Sequence, residues 1–167
     1  DSKDLIFKTN YTWSRSDVSA DGNVTTALIS SAAGATPVVT PASGFIVDGR
    51  QLQGQSNHLV NFQFGYEDVD LDSRATILVN WTSNRIRQTQ NIITGGPDVI
   101  EEPPLTLDFV WSRGFENFGG LWEVGLEVRN ILGDDYAATQ SFSDGTIALF
   151  DTYGLGREIS ASLKRKF

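Results

Sequence analysis

The 167 residues carry 13 Lys and Arg against 21 Asp and Glu, a formal net charge of −8, and the one basic run is Lys164-Arg165-Lys166. That balance argues against a nucleic-acid partner. Cysteine is absent, which removes disulfides, zinc-thiolate sites and cysteine nucleophiles together. No run of about 18 apolar residues occurs to form a transmembrane helix, but a barrel strand needs only ~9–11 residues of alternating pattern.

The first predicted strand covers 5–15, with Leu5, Phe7, Thr9, Tyr11 and Trp13 on one face and Lys8, Asn10, Thr12 and Ser14 on the other. Side chains alternate across a strand, so this is a two-faced element. Residues 16–55 show no sustained period and are rich in Gly, Ser, Ala, Thr and Pro. They read as a structureless connection, uncommon in a compact soluble domain and ordinary outside a large barrel.

A second strand, 58–67, sets Val60, Phe62, Phe64 and Tyr66 against Asn61, Gln63, Gly65 and Glu67. After a polar turn at 68–72, a third strand over 74–87 sets Ala75, Ile77, Val79 and Trp81 against Arg74, Thr76, Asn80 and Thr82. Leu78 is the apolar exception on its polar face. Residues 91–104 form a second long connection, with Gly95-Gly96-Pro97 and Pro103-Pro104.

The fourth strand opposes Leu105, Leu107, Phe109 and Trp111 to Thr106, Asp108 and Ser112. A Gly-rich turn at 117–120 leads to the fifth, where Trp122, Val124, Leu126 and Val128 face away from Glu123, Gly125, Glu127 and Arg129. A third long connection, 133–153, precedes the terminal strand of 155–167. Its apolar face carries Leu155, Ile159, Ala161, Leu163 and Phe167.

Connections thus alternate long, short, long, short, long. Membrane barrels have that rhythm, with loops on one side and turns on the other. Glu123, Glu127 and Arg129 sit tolerably beside a wet lumen, whereas a sandwich core would demand a partner for each. The expected fold is all-β: an antiparallel transmembrane barrel segment of about six strands, with long extracellular loops and short periplasmic turns. Phe62, Phe64, Val79, Phe109, Val124, Leu126 and Leu163 are expected to face lipid. Asn61, Thr76, Asp108, Glu127 and Ser160 are expected to face the lumen.

Two motifs carry a family resemblance. Glu127-Val-Arg-Asn130-Ile-Leu-Gly-Asp134-Asp-Tyr136 resembles the late K-N-L-F-D-x-x-Y segment of TonB-dependent outer-membrane receptors. Tyr153-Gly-Leu-Gly156-Arg157 resembles their closing Y-x-x-G-R strand. Leu52-Gln-Gly54-Gln-Ser56-Asn-His58 echoes an L-P-G-x-S-x-H strand entry, with Gln53 in place of the proline. The resemblance implies that residues 1–167 are the C-terminal part of such a receptor barrel, of roughly 22 strands.

It also implies uptake of a scarce solute such as a siderophore, cobalamin or a glycan across the outer membrane of a Gram-negative bacterium. The implied partners are outer-membrane lipid, a separate chain holding the plug and earlier strands, and the TonB complex acting through that plug. The start at Asp1, with no methionine in the chain, reads as a processed or cut end.

No catalytic constellation stands out. His58 is the only histidine, and no serine lies in a nucleophile-elbow context. Asp68-Val-Asp70-Leu-Asp72 opens like a calcium loop but has Ser73 where glycine belongs and Val79 where glutamate belongs, so it reads as a solvated turn. No enzyme, cofactor or metal is expected. Trp13, Trp81, Trp111, Trp122, Tyr11 and Tyr66 lie on apolar faces, which suits interfacial girdles better than a sugar platform. Candidate solute contacts are the loop charges Arg85, Arg87, Asp134, Asp135 and Asp144. Two other readings stand beside the receptor: a structural subunit of a multi-chain barrel, and a soluble β-sandwich binding module such as a lectin.

Overall fold

The computed structural model describes residues 3–30, 34–89 and 96–166. Phe167, together with 31–33 and 91–95 of the long connections, lies outside the described residues. The chain is all-β, built from antiparallel sheets. The largest has six strands in the order β1 (Lys3–Trp13), β4 (His58–Asp68), β5 (Ser73–Thr82), β8 (Thr106–Asn117), β9 (Gly120–Arg129) and β12 (Glu158–Lys166). These are the six strands expected from alternation, joined as a meander of nearest neighbours. β1 and β12 are its two edges, so among the described residues the sheet stays open.

Register sorts the two faces. One row runs Phe7–Phe64–Ile77–Phe109–Val128–Ile159, and the next toward the short turns runs Leu5–Tyr66–Ala75–Trp111–Leu126–Ala161. The opposite face holds rows such as Gly65–Thr76–Val110–Glu127–Ser160. Phe62, Phe64, Val79, Phe109, Val124, Leu126 and Leu163 share one face of the sheet, and Asn61, Thr76, Asp108, Glu127 and Ser160 share the other. Leu78 falls on the polar face, paired with Gln63 and Asp108.

This sheet has no core of its own. The buried apolar residues are Ala20, Ala42, Ile86, Val99, Tyr136 and Ala138, and none belongs to its six strands. Leu5, Phe7, Ile159 and Leu163 are 71, 65, 72 and 64% exposed. Fully burying one such side chain stabilises by about 1.5–3 kcal/mol, so the apolar face is a large unspent driving force. A β-sandwich would bury it under a second sheet, whereas Phe64, Ile77 and Trp81 of the inner strands are exposed as well.

The long connections differ from expectation. Residues 16–55 are not structureless: β2 (Asn23–Ser30) and β3 (Gly34–Pro41) form a hairpin ribbon. Pro37 and Pro41 argue against a strand, but β3 pairs on one side only, where a missing N–H costs no ladder bond.

The expected third strand breaks at 83–84, and its end becomes β6 (Arg85–Gln88). Likewise 91–104 contains β7 (Val99–Glu102), and 133–153 contains β10 (Tyr136–Ser141) and β11 (Ile147–Tyr153). These four make a second sheet in the order β11-β10-β7-β6. Each of its strands continues one of the large sheet: β5 into β6, β7 into β8, β9 into β10 and β11 into β12. The neighbour order is preserved across the break, β6-β7-β10-β11 following β5-β8-β9-β12.

Both short turns are tight. Asp68 is buried rather than solvated: its carboxylate accepts from the Leu71 N–H at 3.1 Å and the Tyr66 hydroxyl at 3.2 Å. At the other turn, Phe118 (φ 49°) and Gly119 (φ 69°) both take left-handed backbone between paired Asn117 and Gly120. That is a two-residue hairpin loop of the I′ kind, for which glycine is suited at the second position.

Candidate functional site

Three groups of polar side chains are candidates. The first lies in the second sheet, where β6, β7, β10 and β11 carry Arg85, Arg87, Glu101, Tyr136 and Asp151 into one network. Arg85 pairs with the buried Glu101. The Tyr136 hydroxyl donates to the other Glu101 oxygen at 2.9 Å and accepts from Arg87 Nη1 at 3.1 Å. The same Arg87 nitrogen reaches Asp151 at 2.6 Å, and Tyr136 stacks on Tyr153 with ring centroids 4.4 Å apart.

Val99, Tyr136 and Ala138 form the buried apolar cluster beside this network. Burial, and then the hydrogen bond to Glu101, push the Tyr136 phenol above its ordinary range. The bond to Asp151 chiefly holds the Arg87 guanidinium charged. A phenol whose folded pKa is raised stabilises fully below the ordinary tyrosine value and loses that contribution as the pH climbs through the folded one. In an alkaline titration followed by tyrosinate absorbance, Tyr136 is therefore expected to ionise after exposed tyrosines, with the second sheet loosening in the same step.

The second group is the junction between the two sheets, and it is built from the two motif segments. Asn130 has φ 50°, a left-handed conformation that asparagine tolerates. Its N–H donates to Asp108 Oδ1 at 2.8 Å and its side-chain amide to the Gly156 carbonyl at 2.8 Å. Arg157 donates from Nε to the Ile131 carbonyl at 2.9 Å and from Nη2 to Leu132 at 3.0 Å.

Gly133 has φ 67°, a backbone that favours glycine, and a Cβ there would meet the Arg157 guanidinium at 2.7 Å and displace it. Asp134 accepts from the Leu105 N–H at 2.8 Å, just after the two prolines. These motif residues thus clamp the break between β9 and β10 onto the break between β11 and β12. Asn130→Ala is expected to destabilise by about 2 kcal/mol, from a strained backbone and a lost bond. A shift in denaturant midpoint would measure it, and Asn130→Gly should recover the backbone part.

The third group is a tier of amides on the polar face, near the ends that lead to the long connections. Asn10, Asn61, Asn80 and Thr106 are successive partners across β1, β4, β5 and β8. Lys8 and Gln63 pair in the row beside them, next to Leu78. Lys8, Asn10, Asn61, Gln63, Leu78 and Asn80 line a shallow concavity. Asn80 donates to Thr106 Oγ1 at 3.1 Å and Asn10 accepts from Thr12 at 3.3 Å. The Asn61 and Gln63 amides hold unused donors and acceptors toward the open face.

Of the charges singled out from sequence, only Arg85 and Arg87 are therefore brought together. Arg85 and Arg87 belong to the second-sheet network and Asp134 to the junction. Asp135 lies against Gly154, 3.3 Å from the position of a Cβ there. Asp144 shapes the β10–β11 turn by accepting from the Thr146 N–H at 2.9 Å, which holds its carboxyl below the usual range. Loop position alone had favoured these residues. Counting Asn10, Asn61 and Asn80 at matched register would have found the amide tier. Among the described residues no group of His, Cys, Asp and Glu is arranged to hold a metal ion. No family model, curated protein or solved structure matches this chain.

Proposed function

We propose that this chain is part of the wall of a TonB-dependent receptor: an outer-membrane active transporter for a scarce solute such as a siderophore, cobalamin or a glycan, and not an enzyme. One observation carries the reading. A six-stranded antiparallel meander presents a continuous apolar face with none of the described residues covering it, while its other face is polar and holds every acid of the six strands except Asp68. Lipid is the solvent that suits such a face.

The aromatics support the same reading. Tyr11, Trp13 and Trp81 cluster at one end of the apolar face and Tyr66, Trp111 and Trp122 at the other. From Trp13 to Leu5 is eight residues, about 27 Å along the strand, or roughly 20 Å of height at a tilt near 40°. That is close to a barrel's lipid-facing band. The amide tier then lies inside, on the loop side, where a solute entering from outside would meet neutral hydrogen-bonding groups. The motif resemblance supplies the family, its plug and its TonB partner.

The orientation is testable on intact cells. Added protease should cut within 16–55, 91–104 or 133–153 and spare 68–72 and 117–120. Cleavage confined to the two short turns would refute it. Transport is tested by deleting the coding sequence and measuring protonophore-sensitive uptake across a panel of siderophores, cobalamin and oligosaccharides. Loss of none of them would refute the receptor reading.

A further inference from the structure

The apolar face of the six-stranded sheet is almost free of charge, and the exceptions are not scattered. Of its paired residues only Lys3, Asp68, Arg113 and Arg165 are ionisable as acid or strong base, and all four lie at the short-turn end. Asp68 is folded under its own turn, bonded to Leu71 and Tyr66. The charges presented outward on this rim are therefore three cations, in a chain whose net charge is −8.

Their neighbours fit an interface. Arg113 stands in the row Ser73–Arg113–Val124–Leu163, and Arg165 in the next row, Phe115–Trp122–Arg165. The Arg165 guanidinium lies over the Trp122 ring, 5.3 Å from its centroid. The ring's own N–H donates to the Asn117 carbonyl at 2.8 Å, which fixes the indole at the rim. Phe118, 84% exposed at the tip of the turn, extends the same edge. From strand spacing and rise, Arg113 and Arg165 are about 12 Å apart, so their side chains reach one lipid headgroup or two neighbours. At the opposite end of the face the polar group is instead the pair of Tyr11 and His58, hydrogen-bonded at 2.8 Å.

We propose that Arg113 and Arg165, with Trp122, form a binding site for the phosphate of an anionic phospholipid in the leaflet on the short-turn side, while Lys3, three strands from Arg113, adds charge to the same rim. The inference rests on the lipid-facing reading of the apolar face. Arginine is the side chain that matches phosphate oxygens with paired donors, and an aromatic beneath it keeps the guanidinium at headgroup depth. Cations gathered at one rim select lipid by charge, whereas a plain aromatic girdle would not.

The test uses the whole assembly purified from its own membrane and placed in phosphatidylcholine bilayers. Chain-brominated phosphatidylglycerol or chain-brominated phosphatidylcholine is added at equal mole fraction. Quenching of Trp122 is read as the difference from a Trp122→Phe assembly. Brominated phosphatidylglycerol is expected to quench more strongly, reflecting enrichment of roughly fivefold per cation at the site. Arg113→Gln with Arg165→Gln should equalise the two lipids, while the Arg→Lys pair should keep most of the difference. Equal quenching in the parent, or an excess that survives both glutamines, would overturn the proposal and leave the lipid-facing reading intact. No quenching by either lipid would overturn that reading itself.

Discussion

Val79→Arg is expected to cut membrane insertion by about 2–4 kcal/mol, the range for an arginine near the middle of a lipid-facing barrel strand. Val79 stands in the row midway between the two aromatic ends of the apolar face, with Phe62 and Leu107 as its lateral partners. No cation-binding group lies in that row, and a guanidinium there would be solvated by hydrocarbon.

Ser160→Lys is the matched control. Ser160 pairs with Glu127 on the polar face, so an added ammonium gains an opposite charge and should change stability by no more than about 1 kcal/mol. The fraction of folded chain recovered in membranes, followed by its resistance to urea, reads both effects. Equal damage from the two substitutions would mean that both faces meet the same solvent, and the barrel reading would fall.

The pattern behind that contrast was legible in the chain because it has a period of two. Six segments alternate over eight or more residues, and the expected strands agree with β1, β4, β5, β8, β9 and β12 apart from shifted ends. The second sheet was not legible, for a physical reason. Val99–Glu102 is only four residues long, and Ile147–Tyr153 begins with Ile-Ala-Leu-Phe, apolar toward both faces. Such strands are specified by their partners: Glu101 needs Arg85 and Tyr136, and Asp151 needs Arg87. The third strand ran too far in the sequence reading because nothing in Trp81-Thr82-Ser83-Asn84-Arg85 announces a break. The break is held from outside, by the Ser83 N–H donating to the His58 carbonyl at 2.9 Å.

The candidate site was legible only in part, and for the same reason. A charge in a long connection looks like an available ligand, yet Arg85 and Arg87 are engaged by acids that are 16 and 64 residues away in sequence. The motifs resembling receptor signatures were easy to see, but their work here is mechanical. Asn130, Gly133 and Arg157 hold two chain breaks together. The candidate amide tier, by contrast, is made of side chains that are unremarkable singly and become a tier only at matched register.

The largest effect expected of all concerns completeness: this chain should be recovered with a larger polypeptide at equal copy number and should not fold alone. The argument is one of hydrogen bonds. β1 and β12 each pair on one side, leaving outward N–H and C=O groups along the 11 residues of Lys3–Trp13 and the 9 of Glu158–Lys166. In hydrocarbon each unsatisfied group costs several kcal/mol, so two bare edges would cost far more than the ~5–15 kcal/mol by which folded proteins are stable. Water could satisfy those edges, but water is the wrong solvent for the apolar face beside them.

Both demands are met only if further strands pair with β1 and β12 until the wall closes. Bacterial single-chain barrels close with no fewer than about eight strands, and six cannot. In the proposed receptor the added strands come from the plug-bearing part, with β12 joining its first strand and β1 its last. Intact-mass measurement of the solubilised assembly, with N-terminal sequencing of every band, decides the matter. A stable detergent-solubilised monomer of this chain would overturn the prediction. An assembly made only of copies of this chain would replace the receptor with a structural barrel in which each protomer's β12 pairs with the next protomer's β1.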